Sequence, residues 1–186
     1  MATNNKTINV GEGYSVNITA YLDAVITHQD QEMRNSAFGD KSLMSQEDLK
    51  NFYERIEYAS AHGMGIVINV SNHPSKGWGM PQIQACGDSV IVDMPFPNIN
   101  PNAEADELDV ACYGFADWLI STVNGKVNKD RVTFVIAGAQ GALFRIVGFL
   151  KMAEYAVMEA TSERNTTINA DGSKTVRFDF VRFRSF

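Results

Sequence analysis

Polar residues able to take part in binding or catalysis are concentrated in the middle of the chain and near residue 140. His73 is a potential general acid or base, Lys76 is a cation, and Asp93 is a carboxylate that follows an apolar run. Trp78 lies between Gly77 and Gly79, which would let backbone and ring approach a ligand closely. Seven residues form the candidate ligand-binding set: Asn72, His73, Lys76, Trp78, Asp93, Gln140 and Gly141.

Each of these residues also has a simpler interpretation. His73 and Lys76 are residue types that loops commonly expose to solvent. Trp78 would plug one end of a sheet, and Asp93 would cap a turn through its carboxylate. The sequence leaves both sets of interpretations open.

The segment Gly138–Gly141 separates an apolar strand from a helix, and free N–H groups at a helix start suit a phosphate or carboxylate. The segment is not a G-x-x-x-x-G-K-[ST] loop, because no Lys-Ser or Lys-Thr follows it. It is also not a nucleophile elbow, since Gln140 stands where serine would be required. Anion binding is therefore a hypothesis that depends on what surrounds this turn.

Residues 89–93, 104–124 and 131–137 predict a β-α-β unit with two parallel strands and a crossover helix. Asn102 is the predicted N-cap of the helix, and Gly125 is its predicted stop. Because parallel strands end at one sheet edge, the loops that follow Asp93 and Ala137 should leave together. Ligands of open α/β sheets bind at such an edge.

A third loop is expected at the same edge. Residues 64–70 predict a strand, and residues 82–86 predict another that turns through Gly87-Asp88 into the strand at 89–93. If strand 64–70 runs antiparallel to strand 82–86, loop 71–81 joins loops 94–103 and 138–141. This convergence is the basis of the candidate ligand-binding set.

The remaining pattern supplies helices and hairpins. A central helix is predicted over 142–158, and a helix capped by Ser45 is predicted to end near His62-Gly63. Further predictions are a hairpin at 6–10 and 14–18, a helix at 19–33, a loop at 35–43, and a hairpin pairing 165–169 with 175–186. The apolar alternation of the last strand changes phase, which predicts either a bulge near Phe180 or burial of the strand on both faces.

The C-terminal strand differs from the rest of the chain in charge. Residues 173–186 carry +3, which leaves −9 for the remainder of a chain whose net charge is −6. Alternating Arg and Phe is typical of single-stranded nucleic-acid surfaces, but the acidic remainder would repel a polyanion. Two interpretations are favoured instead: an edge strand protected by its charges, or a contact with an acidic surface of another subunit. The candidate interface residues are Arg177, Phe178, Phe180, Arg182, Phe183 and Arg184.

Composition bounds the rest. The chain has 186 residues and ordinary apolar and charged content, which predicts a single domain over 1–186. Cys86 and Cys112 have no metal-binding or redox spacing, and no metal site is predicted. The sequence leaves open whether the protein uses a cofactor. No apolar run is long enough for a membrane span, and the N-terminus lacks a signal region, so a soluble cytoplasmic protein is expected.

The sequence therefore predicts an α/β (or α+β) fold with a mixed sheet, a β-α-β core, flanking helices and terminal hairpins. The favoured function is a non-catalytic interaction protein that binds a protein partner or a second copy of itself. The alternatives are an enzyme or binding protein for a small anionic ligand, and a single-stranded nucleic-acid contact through the C-terminal strand.

Overall fold

The computed structural model describes residues 7–9, 15–17, 37–38 and 44–186. These residues form an α/β fold, as the sequence predicts. The strands are β1 (Thr7–Asn9), β2 (Ser15–Asn17), β3 (Ile66–Val70), β4 (Val90–Met94), β5 (Val132–Ile136), β6 (Ala156–Ile168) and β7 (Lys174–Ser185). The helices are α1 (Gln46–Ala61), α2 (Met80–Ala85), α3 (Ala105–Val123) and α4 (Gln140–Met152). Short 3-10 turns lie at Ser75–Gly77 and Lys129–Arg131.

The main sheet has five strands in the order β4-β3-β5-β6-β7. Strands β4, β3, β5 and β6 are parallel, and β7 is antiparallel to β6. The predicted β-α-β unit is confirmed, because β4 and β5 are parallel near neighbours in one sheet. Strand β3 lies between them and pairs with both.

The front face of the sheet carries the main core. Ile66, Ile68 and Val70 of β3 point to this face, where they pack with buried residues of α1, α3 and α4. Right-handed crossovers account for the side: β4 to β5 and β5 to β6 move in the same direction along the sheet, so α3 and α4 lie on one face. The connection from β3 to β4 moves the opposite way and takes α2 to the other face.

The back face is covered by less structure. Val67 and Val135 are buried there with Cys86, against the half-buried Trp78 and Phe183. The predicted strand 82–86 and its hairpin turn are wrong, because this segment is helix α2, and β3 pairs with β4 instead. Gly87 has a φ of +58°, and a positive-φ glycine is common to a helix end and to the predicted turn type. The glycine signal was therefore real, but it marks the end of a helix.

The central helix is shorter than predicted. It ends at Met152 instead of Met158, and Glu154 then adopts a φ of +61°. No glycine marks this stop, and Val157 falls at helical spacing from Ala153, so the apolar period did not change visibly. Strand β6 consequently begins at Ala156, far before the predicted start at Asn165.

The other predictions have mixed outcomes. The hairpin of β1 and β2 and the Ser45-capped helix are confirmed, with the Ser45 side chain accepting from the Asp48 N–H at 3.1 Å. The N-cap of α3 is Glu104, whose N–H donates to Glu107 Oε2, so the prediction of Asn102 is wrong. Residues 37–38 are helical within the loop predicted at 35–43. The helix predicted at 19–33 lies outside the described residues, and the single domain over 1–186 stays a prediction.

None of the helices in the described part of the chain has the length and apolarity needed to cross a membrane.

Candidate functional site

Three loops meet at the carboxyl edge of the parallel strands. Strands β3, β4 and β5 end at Val70, Met94 and Ile136, so the loops after them leave one edge of the sheet. The predicted convergence of loop 71–81 with the other two is thus present, but for a different reason. Loop 71–81 arrives there because β3 is parallel to β4, whereas the sequence argument used a hairpin that does not exist.

Asp93 is the centre of a hydrogen-bond network at this edge. Its Oδ1 accepts from Asn69 Nδ2 at 2.7 Å and from the Ser75 N–H at 2.8 Å, and its Oδ2 accepts from Ser75 Oγ at 2.8 Å. Both oxygens of the carboxylate are therefore occupied by donors from the same protein. This is the turn-capping role that the sequence left open for Asp93.

Asn69 and Ser71 complete the network from β3 and its end. The Ser71 hydroxyl lies 2.9 Å from Asn69 Oδ1, and Asn69 Nδ2 also donates to the His73 carbonyl at 2.9 Å. Both side chains are buried, with 1% of Asn69 exposed. Sequence reasoning missed Asn69, although a lone polar residue within an apolar strand is a signal of this kind of network.

The network fixes a loop whose tip carries the charged candidates. The side chains of Asn72, His73 and Lys76 are exposed and form no hydrogen bond with the described residues. Trp78 is directed elsewhere: its ring packs on the back face, with its centroid 5.6 Å from that of Phe183. The structure therefore brings Asn72, His73 and Lys76 to the same loop as the Asp93 network, and assigns Trp78 to packing.

Gln140 and Gly141 form the exposed first turn of α4. Its N-cap residue is Ala139, which makes no side-chain cap, and no acidic residue occupies its first turn. Its early N–H groups therefore have no side-chain acceptor from their own helix start. Beside this turn the Phe96 ring lies directly against Gly138, where a Cβ atom would overlap it.

The described residues form neither a metal site nor a reactive cysteine. Among the residues that the structure describes, no group of three His, Cys, Asp or Glu side chains could hold a metal ion. Both cysteines are buried and unpaired. Burial raises the pKa of the Cys86 thiol, and it raises the pKa of Cys112 to about 12, so the thiolate nucleophile is disfavoured at both.

The second candidate region is the C-terminal ribbon, which we define as residues 159–184 of β6 and β7. Strand β5 pairs only with residues 156–158 of β6, so the ribbon extends beyond the sheet as two antiparallel strands. Side chains of directly paired residues share a face. The back face of the ribbon carries Phe178 opposite Arg164 and Val176 opposite Thr166, while its other face carries Asp179 opposite Glu163.

A bulge brings the aromatic residues of β7 to this back face. Thr161 pairs with Arg182 and Ser162 pairs with Phe180, so Val181 is an extra residue without a partner. The predicted bulge near Phe180 is confirmed. Because Val181 is extra, Phe183 returns to the face of Phe180, and their ring centroids are 5.0 Å apart.

The apolar stripe that results becomes more exposed along the ribbon. Phe183 and Phe180 are half-buried near Trp78, whereas 65% of Phe178 and 69% of Ile168 are exposed. Arg184 pairs with Glu159, and Arg177 pairs with Asp179 at 2.8 Å. In the described part of the chain, the side chains of Arg164, Lys174 and Arg182 form no ion pair.

Residues 65–184 match the Uncharacterized protein MJ1673 family. The chain belongs to the MJ1673 family. The matched region begins just before β3 and ends in β7, so the carboxyl edge and the ribbon both lie within the part of the chain that defines an MJ1673 protein. No curated protein and no solved structure matches this MJ1673 chain.

Proposed function

We propose that the protein acts by association, as a non-catalytic homo-oligomer whose subunits meet through the back face of the C-terminal ribbon. The observation that carries this proposal is the division of the ribbon into two unlike faces. Phe178, Val176 and Ile168 project from one face and are exposed, while the opposite face is polar.

The exposed apolar stripe has an energetic cost as long as nothing covers it. Burying one such side chain stabilises a structure by about 1.5 to 3 kcal/mol. Single exposed apolar residues are ordinary on protein surfaces, but a row of them along one face is typical of an interaction surface. The stripe also continues into the packed rings of Phe180, Phe183 and Trp78, which would hold one end of it rigid.

Charge favours a second copy of the chain as the occupant. Arg164 and Lys174 lie on the apolar face with no acidic partner among the described residues. The chain outside residues 173–186 carries −9, so a second copy presents the acidic surface that these cations would meet. The same −9 would repel a nucleic acid, which makes single-stranded nucleic acid the weaker choice.

The contact should be made by the face of the ribbon and not by its edge. An unpaired strand edge can add a strand from another chain, but charged side chains and bulges oppose this. Strand β7 has an extra residue at Val181 and carries Arg177, Arg182 and Arg184. These features oppose the addition of a strand to the edge of β7, while the apolar face is still accessible to a partner.

The size of the ribbon sets the expected affinity. Ten residues of strand span about 33 Å, and two strands are about 10 Å wide, so the face measures roughly 330 Å². A standard interface buries about 800 Å² on each partner, so the ribbon alone is at the weak end. We therefore expect a concentration-dependent dimer or small oligomer, with dissociation constants in the micromolar range.

Light scattering across the micromolar range tests the proposal with a matched pair of variants. Phe178 and Phe144 are each 65% exposed, but Phe144 lies on α4, the helix that packs on the front face of the sheet, whereas Phe178 lies on the back face. Phe178→Ser should lower the mass to that of a monomer, whereas Phe144→Ser should leave the parent mass unchanged. A monomeric parent, or equal effects of the two variants, would reject the proposal.

A small anionic ligand at the carboxyl edge is the second candidate function. The first turn of α4 has no side-chain cap, and Lys76 is exposed on the loop after β3. In addition, the connections that follow β3 and β5 leave on opposite faces of the sheet, and ligands of open α/β sheets bind at such a switch point. The Asp93 carboxylate would repel an anion, but its lone pairs are directed at Asn69 and Ser75. The ligand would therefore meet the exposed groups of the loop and the helix.

A thermal-shift panel of nucleotides and phosphorylated metabolites tests the second candidate. A tight ligand at saturation stabilises by a few kcal/mol, because the gain is RT ln(1 + [L]/Kd). Lys76→Ala and Gln140→Ala should each weaken a ligand found in this way by roughly tenfold. If both variants bind it like the parent, the ligand site lies elsewhere.

We also propose a cytoplasmic location. Two buried cysteines without a disulfide are usual in a reducing compartment. Fractionation of the native host cells would test this, and recovery in a secreted or membrane fraction would contradict it.

A further inference from the structure

A cavity lies at the opposite, amino edge of the parallel sheet. It has a volume of about 290 Å³ and is enclosed by the end of α1, the loop that follows α3, and the turn before β5. Its polar lining comes from Ser60, Lys126, Asn128 and Arg131, and Met64 and Val127 supply apolar surface. None of these residues belongs to the carboxyl edge or to the ribbon.

Hydrogen bonds hold the walls of this cavity in place. The Ser60 hydroxyl donates to the Lys126 carbonyl at 2.6 Å, which ties α1 to the loop after α3. Asn128 Oδ1 accepts from the Asp130 N–H at 3.0 Å, and the Arg131 N–H donates to the Asn128 carbonyl at 2.8 Å. The amide nitrogen of the Asn128 side chain is left as a free donor. The shape of the cavity is therefore set before any ligand arrives.

The cavity has more positive charge than its surroundings use. The C-terminal ends of α1 and α3 each contribute about −0.5 charge, while Lys126 and Arg131 contribute two formal positive charges. Arg131 donates one N–H to the Gly63 carbonyl, and a guanidinium has five. Lys126 Nζ lies 5.6 Å from the centroid of the Tyr53 ring and forms no ion pair in the described part of the chain. Capping the two helix ends thus leaves an excess of about one positive charge.

We infer that this cavity binds a small phosphate-bearing anion, such as a phosphate monoester. The guanidinium of Arg131 and the ammonium of Lys126 suit phosphate oxygens, and the Asn128 side chain adds a neutral donor. Ser60 Oγ has its proton engaged, so it can only accept, which fits a hydroxyl group on the organic part of the ligand. No carboxylate lines the cavity.

Amide NMR of the full chain titrated with sodium phosphate at constant ionic strength tests this inference. Saturable shifts are expected at residues 125–131, with a Kd of about 1 mM or tighter. Lys126→Ala should weaken binding at least fivefold, and Lys126→Glu should abolish it. Lys126 contacts only the Tyr53 ring with its side chain, so these variants should fold.

Two other lysines provide matched controls. Lys129 lies three residues further on, but its ammonium pairs with Glu154 at 3.0 Å and does not line the cavity. Lys76 lies at the carboxyl edge, so it separates this site from the second candidate function. Lys129→Ala and Lys76→Ala should both bind phosphate like the parent.

Three results would overturn the inference. One is the absence of saturable shifts at 125–131 up to about 10 mM phosphate, a concentration at which a millimolar site is mostly filled. Another is an equal loss in Lys129→Ala and Lys126→Ala, which would indicate general charge attraction. The third is tighter binding of acetate than of phosphate at the same amides, which would make the cavity a carboxylate site.

Discussion

The carboxyl edge of the sheet and the C-terminal ribbon differ in whether their side chains have partners within the chain. At the carboxyl edge, the polar groups of Asp93, Asn69 and Ser75 bond to one another and fasten a loop. On the ribbon, apolar side chains such as Phe178 and Ile168 are exposed. The Asp93 carboxylate is thus engaged inside the fold, while His73 and Lys76 on the same loop and the apolar side chains of the ribbon are exposed. The proposed association therefore rests on the exposed apolar side chains of the ribbon.

The largest effect is expected from filling the contact between Gly138 and Phe96. In Gly138→Ala, the new Cβ would overlap the buried Phe96 ring, so the free energy of unfolding should fall by about 3 kcal/mol. Urea unfolding measures this. Gly148→Ala is the control, because nothing lies within 4 Å of a Cβ there, and it should stabilise α4 by about 0.5 to 1 kcal/mol. Effects of the same sign would show that the carboxyl edge is loosely packed.

Removal of the Asp93 carboxylate should have the next largest effect. Asp93→Ala leaves the Ser75 N–H and hydroxyl without their acceptor, so the free energy of unfolding should fall by about 2 to 3 kcal/mol. Urea unfolding and amide exchange in loop 71–77 measure the change. Asp88→Ala, at an exposed carboxylate just after α2, should change stability by less than about 0.5 kcal/mol. If Asp93→Ala unfolds like the parent, the network does not hold the loop.

A change at the far end of the ribbon should affect association more than folding. Ile168→Thr removes an apolar side chain that is 69% exposed in one chain, so stability should stay within about 0.5 kcal/mol. Its dimer should dissociate roughly fivefold more readily, the equivalent of about 1 kcal/mol of lost burial. Sedimentation equilibrium measures the constant. Thr175→Ser on the polar face is the control. If its dimer is weakened to a similar extent, the apolar stripe is not what holds the dimer together.

The smallest effect is expected from deleting the extra residue of the bulge. Without Val181, Phe180 and Arg182 become neighbours and can keep their partners Ser162 and Thr161 in a regular ladder. Both residues would retain their faces, so stability should change by less than about 1 kcal/mol. Thermal unfolding measures this change. Deletion of Val176 should be more harmful, because it breaks a regular register, and equal losses would contradict the assigned bulge.

The sequence predicted those parts of the fold that local patterns determine. The β-α-β unit followed from two apolar strands around a long amphipathic helix, and the bulge followed from the phase change at Phe180. Insertion of β3 between β4 and β5 is set by the direction of crossovers and has no local signal. Helix α2 has only six residues, too few for its period to be recognised. Strand β6 is exposed over most of its length, so its sequence lacks the alternation of apolar and polar residues that predicts a strand.

The candidate site was predictable in position but not in its bonding. Parallel strands bring the three loops to one edge, but the sequence predicted this correctly only for the loops after Asp93 and Ala137, because loop 71–81 was expected there through a hairpin that does not exist. The partners of Asp93, however, lie 18 and 24 residues away in sequence, at Ser75 and Asn69. Whether a carboxylate faces a ligand or its own loop depends on such non-local distances. For the ribbon, the alternation identified Phe178 as facing one side, but exposure depends on which elements cover that side.

Photocrosslinking from position 178 tests the central claim most directly. A benzoylphenylalanine placed at Phe178 keeps an aromatic side chain on the apolar face, and the same substitution at Phe144 is the matched control. Irradiation of the purified protein at micromolar concentration should give a covalent dimer from position 178, with the crosslink mapping to a second copy. Position 144 should give only monomer. Equal dimer yields at the two positions, or no dimer from position 178, would contradict association through the ribbon.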